Sequence, residues 1–168
     1  MVKDFILKYK NYALQSAAET GVPALFTLAQ SALETGWGKS VSGNAMFGIK
    51  DTDGVNGNEQ LFTTTEYHNR PNVKYPVIIS IVEVIKGKRW KYKIKDWFRK
   101  YPSPRESFTD HGTFLVKNKR YSAAFNTENA YEFAEEVAKA GYATDPNYIE
   151  TLKKVMKMIE NEPTWKQL

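Results

Sequence analysis

The order of elements in this sequence predicts an α+β fold: a mainly helical body interrupted by a small antiparallel β lobe, with a cleft between the two. Apolar residues recur at helical spacing up to about residue 35 and again from about residue 107, whereas β-branched and aromatic runs fill much of a lobe spanning about 47–98. Clusters of Gly, Pro, Asn and Asp separate these regions. The 168 residues, 42% of them hydrophobic, suit one domain over 1–161, with 162–168 as a tail.

The first helix is expected over Val2 to Thr20, where Phe5, Ile6, Tyr9, Tyr12, Ala13 and Ala17 form one apolar face, and Gly21 stops it. Pro23, suited to a first turn, opens a second helix through Ala24, Leu25, Leu28, Ala29, Ala32 and Leu33, which Gly36 and Gly38 end. A loop rich in Gly, Asn, Asp and Ser follows over Ser42 to Gly57, with a short extended piece at Phe47 to Lys50. Leu61 to Tyr67 and Val77 to Ile85 read as strands. Lys86-Gly87-Lys88 is a hairpin turn, after which Trp90, Tyr92 and Ile94 alternate with Lys91, Lys93 and Lys95 as in a half-exposed strand. That lysine face is most economically a solvated one. Tyr101 to Pro104 ends the β region. Helices are expected over Ser107 to Val116, Thr127 to Ala140 with Thr127 as cap, and Pro146 to Glu160, with a short turn at Tyr121 to Phe125.

Composition narrows the function classes. The net charge of +5 favours an anionic partner, yet the cations do not form a block of five or six, and no nucleic-acid motif is visible. With no cysteine and only His68 and His111, thiolate sites and a histidine-rich zinc site are excluded, so neither metal nor cofactor is expected. No stretch reaches the ~18 apolar residues of a membrane span, and the N-terminal apolar run is too short for a secretory signal. The expectations are therefore no stable membrane insertion and cytoplasmic synthesis. The aromatic content of 14% suits a groove that stacks on sugar faces and equally suits an ordinary core.

Glu34 is the residue that most constrains chemistry. It falls in the last turn of the second helix, where the negative end of the helix dipole and the apolar neighbours Leu33 and Trp37 disfavour its charged form. A carboxyl that keeps its proton near neutral pH is what a general acid needs to protonate a glycosidic oxygen. Asp110-His111 looks like a hydrolytic pair, but no nucleophilic serine motif accompanies it, so a structural hydrogen bond is expected there.

Ala29 to Ser40, reading Ala-Gln-Ser-Ala-Leu-Glu-Thr-Gly-Trp-Gly-Lys-Ser, followed by Gly43-Asn44-Ala45-Met46-Phe47-Gly48-Ile49-Lys50, resembles the opening of the glycoside hydrolase family 73 domain. Thr63-Thr64-Thr65-Glu66-Tyr67, Lys119-Arg120-Tyr121-Ser122-Ala123 and Ala140-Gly141-Tyr142-Ala143-Thr144-Asp145-Pro146 match further motifs of that family in order. The resemblance covers about Phe5 to Ile159.

It implies a lysozyme-like fold and a peptidoglycan-cleaving endo-β-N-acetylglucosaminidase. Glu34 would be the catalytic acid, Glu66 in the β lobe the second carboxylate with Glu59 as local rival, and Tyr121 a helper near the acid. Asn44, Phe47, Trp37 and Tyr142 are the candidates for substrate binding. The implied partner is the peptidoglycan glycan strand, met by a monomer that is delivered to the wall by a route such as phage lysis or a virion. A muramidase, a lytic transglycosylase and a non-catalytic wall-binding module are the alternatives. An insertion around Asn69 to Ile85 departs from the family pattern.

Overall fold

The computed structural model describes residues 1–52 and 55–167. Asp53 and Gly54, in the expected loop, and Leu168, at the end of the expected tail, lie outside the described residues. Helix α1 (Val2–Thr20) ends on Gly21 in the left-handed conformation, and α2 (Ala24–Thr35) follows, with Pro23 at the N-cap and so one place ahead of the expected first turn. Nine of the twelve residues of α2 are buried, among them Phe26, Leu28, Ala29 and Ala32. A helix apolar on nearly all sides must be wrapped by others. Here α1, α4 (Ala130–Lys139) and α5 (Tyr148–Glu160) pack around it.

Helix α3 (Pro104–Lys117) starts at Pro104, three residues before the expected start, because proline is preorganised for a first turn. It lies against α1 so closely that a Cβ on Gly112 would stand 2.7 Å from both Ser16 Oγ and Thr20 Cγ2. A buried relay joins three helices: His111 Nε2 donates to Gln30 Oε1 (2.6 Å), and Gln30 Nε2 donates to Tyr148 Oη (2.6 Å). Burial pushes His111 down to about 3, so it stays neutral and structural. Asp110 is engaged separately, by Arg99 Nη1 (2.9 Å) and the Tyr101 hydroxyl (2.5 Å).

Two expectations for the helical half are corrected. Thr127 does not cap α4; its hydroxyl donates to Ala124 O and closes a 3₁₀ helix over Lys119–Asn126, while Asn129 accepts the Glu132 N–H as the cap. Residues 162–167 are not a free tail. They include a last turn, α5 being followed by α6 (Pro163–Lys166), held by Lys10 Nζ on the carbonyls of Thr164 (3.1 Å) and Trp165 (2.6 Å).

The β lobe is a three-stranded antiparallel sheet of β1 (Glu59–His68), β2 (Val77–Ile85) and β3 (Arg89–Arg99), ordered β1-β3-β2. Register pairs Glu66 with Tyr92, Thr64 with Ile94 and Phe62 with Asp96. Because side chains alternate, the even-numbered residues of β1 and β3 share the face on which Tyr92 and Ile94 are buried, and Lys91, Lys93 and Lys95 occupy the other. The connection 69–76 folds over Tyr92, whose hydroxyl donates to Arg70 O (3.0 Å) and accepts from Val73 N (3.2 Å). All nine residues of β2 are exposed.

Gly112→Val should lower the free energy of unfolding by about 1–3 kcal/mol, because the hydroxyl of Thr20 is fixed on Ser16 O and cannot yield space. Urea denaturation of the two proteins measures this, and an unchanged midpoint would contradict the close packing of α1 on α3.

Candidate active site

Glu34 occupies the last turn of α2, and three consecutive residues in left-handed conformation, Gly36 (φ 56), Trp37 (φ 61) and Gly38 (φ 84), turn the chain sharply away after it. The N–H groups of Gly36 and Trp37 both return to Ala32 O, and Gly38 N donates to Thr35 Oγ1 (2.9 Å). A left-handed tryptophan stores on the order of 1–3 kcal/mol of strain, a cost tolerated where geometry at a site demands it. No basic residue stands in that last turn to hold the carboxylate charged.

Glu34 is exposed to solvent and lines a pocket of about 40 Å³ together with Ser40, Ser42, Ala45, Gly48, Gln60, Phe62 and Phe98. That is room for a water and not for a sugar ring. A Cβ on Gly48 would come within 3.2 Å of Glu34 Oε2, and its φ of 60 is a second reason for glycine there. Desolvation first, and the negative charge of Glu66 second, push the Glu34 carboxyl up to about 7. Glu34 as a residue stays exposed, so the upward direction comes from the protein crowded around the carboxyl, with the Gly48 backbone beside it, and not from closure against solvent.

Glu66 lies on the face of β1 that looks toward the body, with a side chain 16% exposed. Its environment is the opposite of Glu34's. Lys50 Nζ stands 3.7 Å from Glu66 Oε1 and 3.4 Å from Asp96 Oδ2, and over the Tyr75 ring at 5.2 Å. Thr144, from the loop between α4 and α5, donates its hydroxyl to Glu66 Oε2 (2.9 Å) and accepts the Tyr67 N–H (2.8 Å). One threonine thus bonds the lobe to the body at the second carboxylate. His68 Nε2 contacts the Tyr75 hydroxyl at 2.5 Å, and burial holds the imidazole below its ordinary value.

Glu59 is seven residues along the same strand and therefore on the opposite face. It accepts the Gly57 N–H (2.8 Å). Tyr121 is 2% exposed and packs 6.1 Å from Tyr142, which stacks on Tyr148 at 6.0 Å. The Tyr142 hydroxyl donates to Phe47 O (3.5 Å) and is pushed well up, by burial first and then by Tyr148 and Glu34. Glu34 also acts electrostatically on Tyr148, so the phenols of Tyr142 and Tyr148 lie near the acid, with Tyr121 packed against Tyr142.

Two of the expected binding residues are framework instead. Phe47 is 2% exposed and stacks on His111 at 3.9 Å, with no surface left for a sugar. Asn44, left-handed at φ 54, donates its amide to Tyr101 O (2.9 Å) and stabilises the loop. Trp37 is half-buried, edge-on to Phe5 at 5.6 Å.

Sequence reasoning assigned no role to Lys50, Thr144 or Gly48, although all three stand inside the quoted motifs. The larger concavity, about 500 Å³, lies beyond Thr144 between Arg89, Ala143, Asp145 and Ile149 and does not include Glu34. Among the described residues no group of three His, Cys, Asp or Glu is gathered as a metal site, and no helix is long and apolar enough to cross a membrane.

A helix-end carboxyl pushed up to about 7, coupled electrostatically to a second carboxyl on a neighbouring lobe, is the kind of pair that glycosidases use. The family model described as mannosyl-glycoprotein endo-beta-N-acetylglucosaminidase matches residues 10–161. The peptidoglycan hydrolase FlgJ of Vibrio cholerae serotype O1 is 34% identical over 96% of this chain and 45% of its own length. The exo-glucosaminidase LytG of Bacillus subtilis is 31% identical over 78% of this chain and 42% of its own. The chain thus spans less than half the length of these relatives. Among solved structures, the glycoside hydrolase domain of Salmonella typhimurium FlgJ, in a C-terminally truncated form, superposes with a TM-score of 0.68 at 31% identity, over 96% of this chain and 99% of that one. A peptidoglycan hydrolase mutant from Sphingomonas sp. A1 gives a TM-score of 0.73 at 28% identity, covering 98% and 96%. With its motifs in order, its fold shared and the family match running nearly end to end, this chain belongs to the glucosaminidase family of glycoside hydrolases.

Proposed function

We propose that this domain hydrolyses the β-1,4 bond from N-acetylglucosamine to N-acetylmuramic acid within peptidoglycan glycan strands, as an endo-β-N-acetylglucosaminidase. The observation that carries the proposal is the pairing of a carboxyl held near 7 at Glu34 with a second carboxylate at Glu66, in a chain matched by the glucosaminidase model over 10–161. Glu34 gives its proton to the glycosidic oxygen as the bond breaks, which spares the leaving sugar an alkoxide. Glu66 activates the water on the other side of the ring or stabilises the positive charge that develops on the sugar. Lys50 and Thr144 hold Glu66 in place, and Tyr142, with Tyr121 packed against it, stands near Glu34 as a neutral phenol. Glu34, Glu66, Lys50 and Thr144 all come from one chain, which supports a monomer as the working unit. The proteins compared above are bacterial, which lends no support to delivery by a phage.

The pH dependence has a defined sign. The acid works protonated, so turnover falls as pH rises through about 7, the value to which Glu34 is pushed. Glu66→Gln removes a charge that pushes Glu34 up, so this alkaline limb moves to lower pH in the variant. An unmoved limb would show that the two carboxylates are not coupled.

Glu34→Gln should cost at least on the order of a hundredfold in kcat with the thermal melt retained, because the amide has no acidic proton to give. Thr144→Val keeps the shape but removes the donor to Glu66 and the acceptor for Tyr67 N–H. It should lower kcat about tenfold, and Thr144→Ser should restore most of it; equal loss in both would indicate packing and not the hydroxyl.

The bond cut is read by borohydride reduction of digested peptidoglycan and mass spectrometry. Reduced N-acetylglucosamine is the expected new end. Reduced muramic acid would mean a muramidase, a 1,6-anhydro end a transglycosylase, and no release a binding module.

A further inference from the structure

The hairpin of β2 and β3 is unlike the rest of the surface. Residues 77–95 carry Lys86, Lys88, Arg89, Lys91, Lys93 and Lys95 against the single acid Glu83, a surplus of five that equals the net charge of the whole chain. The same stretch holds seven of the sixteen large apolar side chains that the described residues leave exposed, all of them in β2. Apolar patches of this kind mark a binding surface, and an uncovered apolar edge strand is a liability that proteins otherwise avoid.

Register shows how the two properties are combined. Lys91, Lys93 and Lys95 stand about 7 Å apart on the face of the sheet turned away from Glu66. Every cross-strand neighbour of these lysines is uncharged: Tyr67, Thr65 and Thr63 on β1, and Val82, Ser80 and Val77 on β2. Among the described residues, none of them, nor Lys86 or Lys88 at the hairpin tip, makes an ion pair. Glu83, the one acid, accepts the Gly87 N–H in the hairpin turn (3.1 Å). At the other end of the same face Trp97 is 46% exposed beside its register partner Leu61 at 42%.

We infer that this hairpin docks the domain on an anionic lipid surface, the lysines meeting headgroups while the aliphatic edge of β2 and Trp97 enter the interfacial layer. Charge and apolarity together select this occupant. A second copy would bring two hairpins of the same surplus charge against each other. A nucleic acid or an anionic polymer would neutralise the lysines but leave the Val and Ile side chains of β2 in water. Lipid headgroups over acyl chains satisfy both, and tryptophan is favoured at that boundary. Docking by this face leaves the cleft free, because Glu66 lies on the other side of the sheet. The inference does not depend on which bond the enzyme cuts.

Flotation of the purified chain with vesicles tests it, comparing equimolar phosphatidylcholine and phosphatidylglycerol with phosphatidylcholine alone at physiological salt. Binding to the mixed vesicles is expected. The variant K91Q/K93Q/K95Q should weaken it about a hundredfold, at roughly fivefold per lysine. Val82→Ser with Ile85→Ser, at exposed positions that the fold does not need, should weaken it about tenfold or more. Both variants should cut solubilised peptidoglycan at the unaltered rate. Failure to float with the mixed vesicles overturns the inference. So does binding that the Val82 and Ile85 changes leave intact and single-stranded DNA competes away, which would mark a general polyanion face. A concentration-dependent dimer that those two changes abolish would assign the strand to self-association and likewise overturn it. A chain that floats yet releases no sugar ends refutes the proposed function and leaves this inference standing.

Discussion

Desolvation of the Glu34 carboxyl is the interaction on which the other features depend. A glutamate at an ordinary helix end is ionised at neutral pH, and raising it to about 7 requires that water be removed from around it without a cation taking its place. The burial of α2 contributes to the first condition, since it holds the end of that helix, where Glu34 itself stays exposed, against the Gly48 loop and the sheet. The left-handed turn at Gly36, Trp37 and Gly38 supplies the second by leading the chain away before a basic side chain can approach, and Gly48 lets the next loop close within contact distance.

The two carboxylates illustrate how environment separates like groups. Glu34 has only uncharged neighbours in its pocket, Ser40, Ser42, Ala45, Gly48, Gln60, Phe62 and Phe98, and lies near the phenols of Tyr142 and Tyr148, which are themselves pushed up. Glu66 is given Lys50 and the Thr144 hydroxyl. Coulombic coupling then reinforces the difference, because the charge kept on one raises the proton affinity of the other. The polar core relay of Gln30, His111 and Tyr148 lies underneath and fixes the angle of α2 against α3 and α5.

Most of the fold was legible because its signals are local. The apolar spacing of α1 and α2, the alternation of Trp90, Tyr92 and Ile94 with lysines, and the bounds of β2 all follow from chain periodicity. The failures have a common cause in tertiary contacts. Thr127 looked like a helix cap but closes the preceding 3₁₀ turn, and the last residues looked like a tail because Lys10, which holds them, is more than 150 residues away in sequence. Glu34 and Glu66 were singled out by the motifs around them. Phe47 is buried and Asn44 is bonded into its loop, contacts that the sequence does not show because a groove and its supporting layer use the same residue types. Lys50 and Thr144 carry no individual signal, since a lysine after an extended segment and a threonine in a loop occur in any protein.

Besides its chain connections, the β lobe meets the body through bonds of Thr144, Arg89 and Arg99 and through the loop after α2, where Ser42 bonds Gln60 and Lys50 reaches Glu66 and Asp96. The small pocket beside Glu34 is walled from both parts of the molecule, by Ala45 and Gly48 from the loop after α2 and by Gln60, Phe62 and Phe98 from the sheet. Any change in the angle between sheet and body therefore changes the space beside this carboxyl directly, without any rearrangement inside either part.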